Sequence, residues 1–261
     1  MYFIDVQGTL IDDINKQPIE GAVEFIDRLN LDRTPYMVVT NNTKKASSDF
    51  LEYLNKIGLN IQKSHYLDPL MLIESCVTKK SVAAYGAQEF LGVLTSMGYK
   101  LNYENPSEVV VAIKDNFNSE EYAQMIDFLL QGAKLTGMHE TTIYAKNSKR
   151  YPGVGAILKM LEFATSVSYD VVGKPSDKFY KKALELLALQ NENATFENIT
   201  MISDDVKGDL VGASKFGVKT VFVLSGKYKN ENEIIPFLKD SEKPKKIYKN
   251  IGEYAKTRRA S

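Results

Sequence analysis

The chain has little of what several protein classes require. Cys76 is its one cysteine among 261 residues, so it can form no intramolecular disulfide and no thiolate metal cluster, and a reducing cytoplasm is the expected compartment. Its two histidines, His65 and His139, stand far apart without partner spacing and are expected to have ordinary loop or packing roles. No apolar run approaches the ~18 residues of a membrane-spanning helix. The opening Met1-Tyr2-Phe3-Ile4-Asp5 has no basic region and meets an aspartate at once, which reads as a strand and not as a signal peptide. Neither sign of charge is in excess, since 33 Lys and Arg balance 33 Asp and Glu. Net charge therefore gives no reason to expect nucleic acid or a membrane as partner. What remains is an ordinary globular composition, 44% hydrophobic and 25% charged, long enough for one large domain or two smaller ones.

Against that background, four short apolar runs each stop on a polar group. Tyr2–Ile4 stops at Asp5, followed by the turn Gln7-Gly8-Thr9-Leu10. Met37–Val39 stops at Thr40-Asn41-Asn42. Tyr169–Val172 runs into Gly173-Lys174-Pro175. Ile199–Ser203 stops at Asp204-Asp205, with Asp209 a little beyond. Short runs of this kind between helical stretches read as buried parallel strands. In an open α/β sheet, ligands sit outside the carboxyl ends of the strands. The pattern therefore delivers a carboxylate, a hydroxyl, an ammonium and an acidic pair to one rim.

The helical stretches have their own signature. Ala22, Phe25, Ile26 and Leu29, then Phe50, Leu51, Leu54 and Ile57, recur at helical spacing around the run at Met37–Val39. That is βαβα, the mark of a parallel sheet with crossover helices. From about residue 76 the strand and helix patterns continue as a second α/β module. Strands are expected at Ser81–Tyr85, Val109–Ile113 and Thr142–Tyr144. A turn is expected at Tyr151–Ala156, with a helix over Ile157–Ala164. Residues 76–168 thus read as an insertion into a doubly wound parallel sheet made of residues 1–75 and 169–261. Ser176 is a good N-cap for a helix carrying Phe179, Ala183, Leu184 and Leu187. Residues Thr257–Ser261 read as a frayed end.

The rim inventory suits magnesium-assisted phosphoryl transfer. Asp5 is the candidate nucleophile, because a strand-end carboxylate can attack phosphorus in line and split hydrolysis into two easier steps. An anion attacking an anion needs a cation, and Asp5, Asp204 and Asp209 offer the hard oxygens that Mg²⁺ favours. Lys174 adds a fixed positive charge. Thr40 and the backbone amides after it can donate to phosphoryl oxygens.

The set Asp5-x-x-Gly8-Thr9-Leu10, Thr40-Asn41-Asn42, Gly173-Lys174-Pro175 and Asp204-Asp205-x-x-x-Asp209 resembles the haloacid dehalogenase superfamily over nearly the whole chain. Pro152–Ala156, Gly212-Ala213 and Ser225-Gly226-Lys227-Tyr228 resemble its subfamily IIA, the branch of the phospholysine, phosphohistidine and pyrophosphate phosphatases. The resemblance implies a Rossmann-like core with a large α/β cap inserted between the second and third motifs. It implies Asp5 as nucleophile, Thr40, Asn41 and Asn42 as phosphate-binding residues, and Lys174 as the charge-neutralising lysine. Mg²⁺ would be held by Asp5, Asp204, Asp209 and the main-chain carbonyl of Gln7. It further implies a small phosphorylated metabolite as substrate and a homodimer formed through the cap.

Gln7 departs from the family pattern. A second aspartate usually stands there and exchanges a proton with the leaving group and with water. Glutamine can hydrogen bond but cannot do that near neutral pH. Substrates whose leaving group needs no proton should suffer least. Two other readings stay open: a phosphate-binding protein without turnover, and a metal-independent haloacid dehalogenase, against which the Asp204 and Asp209 pair counts. Asp205 is either a third acidic ligand or a helix-start carboxylate. Cys76 reads as a small buried hydrophobe. The segment Met138–Tyr151 is a candidate specificity loop.

Overall fold

The crossover helices bury most of the stripes that their spacing predicts, with Ile57 just past the end of its helix and Leu184 only half-buried. The computed structural model describes residues 1–146 and 149–258. Two tracts read above extend past these residues: the loop Met138–Tyr151 contains Asn147 and Ser148, and the C-terminal tract contains Arg259–Ser261.

In chain order the first elements are β1 (Tyr2–Ile4), α1 (Ala22–Leu31), β2 (Tyr36–Val39), α2 (Ser47–Lys56), β3 (Tyr66–Leu67) and a short α3 (Ile73–Cys76). Helix α1 buries Ala22, Phe25, Ile26 and Leu29, and α2 buries Phe50, Leu51 and Leu54. A second group follows: β4 (Ser81–Tyr85), α4 (Gln88–Ser96), β5 (Lys100–Leu101), β6 (Glu108–Val111), α5 (Ser119–Leu130), β7 (Lys134–Gly137), β8 (Ile143–Lys146), β9 (Lys149–Pro152), α6 (Val154–Thr165) and β10 (Tyr169–Val171). The chain closes with α7 (Asp177–Ala188), β11 (Thr200–Ser203), a wide helical turn over Val206–Leu210 that runs into α8 (Val211–Ser214), β12 (Lys219–Val223), β13 (Lys246–Tyr248) and α9 (Ile251–Thr257).

Two parallel sheets result. Among the described residues the first has six strands in the order β13-β12-β11-β1-β2-β3, and the second has five in the order β10-β7-β6-β4-β5. Side chains alternate across the first sheet with the strand period of two. Phe3, Met37 and Met201 fall in one apolar cluster, and Tyr2, Ile4, Val38 and Ile202 fall in another. The first of these clusters also takes in Val82, Ala84 and Val110 from the second sheet and Phe90 from α4. One apolar core therefore runs unbroken from sheet to sheet. In the first sheet the crossovers leave β1 toward β2 on one side and arrive at β11 on the other. The point where strand order reverses lies between β1 and β11, the place where such sheets bind ligands. Among the described residues no helix is long and apolar enough to cross a membrane.

Three expectations need correction. The run at Tyr169 does not return to the first sheet. Its residues pair with β7 (Tyr169 with Leu135, Val171 with Gly137), so the crossing comes after Val171. Its half-exposed pattern suits the edge that it occupies in the second sheet, whereas the central strands β1, β2 and β11 of the first sheet are buried almost throughout. Tyr151 and Pro152 are not a turn but the end of β9, which forms an antiparallel hairpin with β8. Proline is tolerated there because an edge strand can do without its missing N–H. Gly153 then takes the N-cap position and α6 starts at Val154. Cys76 is only half-buried.

Candidate active site

The strand ends of the first sheet converge on one lysine. The Asp5 amide donates to the Ile202 carbonyl at 2.9 Å, which fixes its carboxylate at the junction of β1 and β11. Lys174 Nζ donates to Asp5 Oδ1 at 2.6 Å, to Asp209 Oδ2 at 2.7 Å and to the Val39 carbonyl at 3.1 Å. All three ammonium hydrogens are thereby used, and the side chain is buried. The turn carrying Lys174 is itself clamped. Its amide donates to Asn41 Oδ1 at 2.9 Å, and its carbonyl accepts from Asn41 Nδ2 at 3.4 Å and from the Glu140 amide at 3.1 Å. A residue delivered from the second sheet is thus held by the loop that ends β2.

The acidic pair just after β11 is positioned by different partners. The Asp204 amide donates to Thr9 Oγ1 at 3.1 Å, and that hydroxyl lies 3.4 Å from Asp5 Oδ2. Asp204 Oδ2 accepts the Lys227 amide at 2.7 Å. It is wedged between two glycines: a Cβ on Gly226 would lie 1.9 Å from it, and one on Gly8, whose φ is +76°, would lie 2.3 Å away. Asp204 Oδ1 has no protein donor among the described residues. Asp205 accepts the Gly208 amide at 2.9 Å and pairs with the Lys227 ammonium. It thereby caps the start of the helical turn Val206–Leu210. Ser203 Oγ donates to Asp209 Oδ2 at 2.7 Å, and the Tyr180 hydroxyl donates to the Asp209 carbonyl at 2.8 Å.

Four buried carboxylates (Asp5, Asp204, Asp205 and Asp209) thus face the buried Lys174 ammonium and the half-buried Lys227. Burial, reinforced by Asp5 and Asp205, holds Asp204 well above the usual carboxylate range although Lys227 opposes it. Burial and the same two acids push Asp209 up to about 7 against the pull of Lys174. Burial acts on Lys174 in the opposite direction, but Asp209 and Asp5 outweigh it and leave the ammonium above its ordinary value. This uncompensated negative charge, borne by hard oxygens with one oxygen of Asp204 unused, fits a divalent cation such as Mg²⁺. As the side chains stand, no three acidic, histidine or cysteine groups among the described residues surround a common metal position. Lys174 bridges Asp5 and Asp209 instead.

The remaining expected residues fall into place unevenly. Thr40 is buried at the end of β2, where its own amide donates to the Leu67 carbonyl at 3.1 Å. Asn42 does not offer its amide at the rim. Its Nδ2 donates to the Lys45 carbonyl at 2.8 Å and to Asp68 Oδ2 at 3.3 Å, and its Oδ1 accepts the Lys45 amide, because the tight loop after β2 needs internal partners. Gln7 is exposed. His65 packs edge-on against Tyr36 as expected. His139 is more than a loop residue. It is buried, its Nδ1 accepts the Thr141 amide at 3.4 Å, and it feels Lys227, Asp205 and Lys174. Burial, aided by the two lysines, lowers its pKa to about 3. Lys227, Thr9 and Ser203 were not assigned roles from sequence. Only the run Ser225–Tyr228 carried any signal for Lys227.

Comparison with known proteins points one way. Residues 2–100 match a family model described as haloacid dehalogenase-like hydrolase, and residues 171–254 match a HAD-hydrolase-like model. The haloacid dehalogenase-like hydrolase domain-containing protein 2 of Mus musculus is 30% identical over 237 residues, covering 88% of this chain and 86% of its own. The phospholysine phosphohistidine inorganic pyrophosphate phosphatase of Bos taurus is 28% identical over 244 residues, covering 90% and 87%. The p-nitrophenyl phosphatase of Archaeoglobus fulgidus superposes with a TM-score of 0.81 at 22% identity, over 98% of each chain.

Two outcomes follow from this geometry. Gly226→Ala should force the Asp204 carboxylate aside and cost on the order of 1–3 kcal/mol, seen as a lower urea midpoint. The control Gly92→Ala, where nothing lies within 4 Å, should hold or raise the midpoint. For His139 the folded chain keeps the ring neutral, whereas the unfolded chain protonates it below about pH 6.5. Stability should therefore fall as pH drops from there and level off near 3. His139→Gln should shrink the loss in urea midpoint between about pH 7 and about pH 4.

Proposed function

Because this chain belongs to the haloacid dehalogenase-like hydrolase family, we propose that it is a phosphatase whose Asp5 takes the phosphoryl group of a small phosphorylated substrate and passes it to water, with Mg²⁺ as the resident cation. The observation that carries this reading is the buried Lys174 ammonium, shared between Asp5 at 2.6 Å and Asp209 at 2.7 Å at the carboxyl ends of the strands.

Asp5 supplies the attacking oxygen. A bond forms from that oxygen to phosphorus as the bond to the leaving oxygen or nitrogen breaks, giving an aspartyl-phosphate. Water then attacks phosphorus and releases Asp5 and phosphate. Lys174 orients Asp5 through its hydrogen bond to Oδ1 and places a positive charge beside the transferring group. Thr9 limits rotation of the same carboxylate from its other oxygen. Asn41 acts one step back, by fixing the main chain of Lys174. Asp5, Asp204 and Asp209, with the main-chain carbonyl of Gln7, would hold Mg²⁺, which when bound neutralises charge on the phosphoryl oxygens.

Gln7 has no proton to give the leaving group. Preferred substrates are therefore those whose leaving group departs without a new proton, such as pyrophosphate, acyl phosphates and phosphoramidates. The bovine relative's name, with its phospholysine, phosphohistidine and pyrophosphate, points to the same class.

Nitrophenyl phosphate supplied with Mg²⁺ should be hydrolysed, and EDTA or Asp5→Asn should reduce release to background. Release that persists in EDTA would contradict the proposal. Gln7→Asp should raise turnover of an alkyl phosphate by up to about 10²-fold and that of nitrophenyl phosphate much less. An equal effect on both would remove residue 7 from proton transfer.

A further inference from the structure

The loop from Ser225 to Glu233 joins three parts of the molecule, and the reaction as described gives it no task. At its start, Ser225 Oγ donates to the Gly8 carbonyl at 2.6 Å, on the turn that follows Asp5. Next, the Lys227 amide donates to Asp204 Oδ2 at 2.7 Å while the Lys227 ammonium pairs with Asp205. One residue thus grips both members of the acidic pair, one through main chain and one through side chain. Lys229 Nζ donates back to the Ser225 carbonyl at 2.7 Å. At the far end, Glu233 Oε1 accepts the Lys229 and Asn230 amides at 3.0 and 3.1 Å, and Oε2 pairs with Arg150 on β9. The Arg150 guanidinium also lies over the Tyr228 ring, 5.4 Å from its centroid.

We propose that Lys227 is a positioning residue that holds the Asp204–Asp205 pair so that Asp204 keeps its second oxygen free for a divalent cation, and that Glu233 and Arg150 couple this placement to the β8–β9 hairpin. The proposal rests on the Mg²⁺ reading of the site given above. Tyr228 anchors the middle of the loop in the apolar core against Phe222. Gly226 has no side chain to pack, and it must have none because Asp204 Oδ2 lies against it. Lys227 is the residue through which the anchored loop meets the acidic pair, and Glu233 ties its far end to Arg150. The Arg150–Glu233 pair links the hairpin to this loop, so a substrate that moves the hairpin also moves the partner of Asp204.

The sign of one measurement separates positioning from plain charge. A buried ammonium repels a nearby divalent cation, so on Coulombic grounds alone removing it tightens cation binding. Loss of a positioning group does the reverse, typically by about 10- to 100-fold for groups that orient metal ligands. The experiment is calorimetric titration of Mg²⁺ alone into the intact protein. Lys227→Met should bind more weakly by about 10-fold or more, Lys227→Arg should recover most of that loss, and Arg150→Met should show a smaller weakening. Unchanged or tighter binding in Lys227→Met would overturn the proposal. Should Lys227→Met fail to fold, Glu233→Ala is measured in its place, with weaker binding as the supporting result and unchanged binding as the contrary one. Wild-type protein that neither binds Mg²⁺ nor hydrolyses nitrophenyl phosphate would remove the underlying reading and this proposal with it. Wild-type protein that does both, beside an unaffected Lys227→Met, would remove only this proposal.

Discussion

The site depends on a lysine ammonium withdrawn from solvent. Lys174 is almost fully buried and gives its three hydrogens to Asp5, Asp209 and the Val39 carbonyl. Such a group is costly to desolvate and is tolerated only when every donor is satisfied. The same satisfaction fixes geometry, since β1, β2 and the turn after β11 must all present an oxygen to one atom. The lysine itself arrives on a turn that leaves the second sheet, held by Asn41 and Glu140. The buried charge and the docking of the two sheets are therefore one arrangement.

Around that lysine the charge does not balance. Four carboxylates meet two ammoniums, and the excess appears as Asp204 and Asp209 held above the ordinary carboxylate range by burial and by their acidic neighbours. A fold selected for stability alone gains little from this, because apolar residues of similar size serve as well or better. The excess makes sense where a cation and an anionic substrate are to be bound together, the situation of phosphoryl transfer. The close approach of Gly8 and Gly226 to Asp204 belongs to the same design: no side chain can come between that carboxylate and the loop that holds it.

Much of this was legible in the sequence because it is written in local pattern. Alternation of short apolar runs with helical stripes at Phe25–Leu29 and Phe50–Leu54 is enough to give parallel strands and crossovers, and strand ends then give the rim. Family membership followed from the motifs at those ends. What the sequence could not show were contacts between segments far apart in the chain. Tyr169–Val171 has a strand pattern, but which sheet it joins is set by pairing with Leu135–Gly137, and no local signal carries that. Asn42 has the residue type for binding phosphate, yet its amide is engaged by Lys45 and Asp68. His139 looked like an ordinary loop or packing residue, and Lys227 had no role of its own within the run Ser225–Tyr228, because their neighbours in the site come from distant parts of the chain.

The most direct measurement is to quench the protein during turnover of nitrophenyl phosphate with Mg²⁺ and locate the phosphoryl group by peptide mass spectrometry. Recovery on the peptide containing Asp5, as a hydroxylamine-labile acyl phosphate, is the predicted result. Steady turnover with Asp5 unmodified and the label on another residue, or on none, would contradict it.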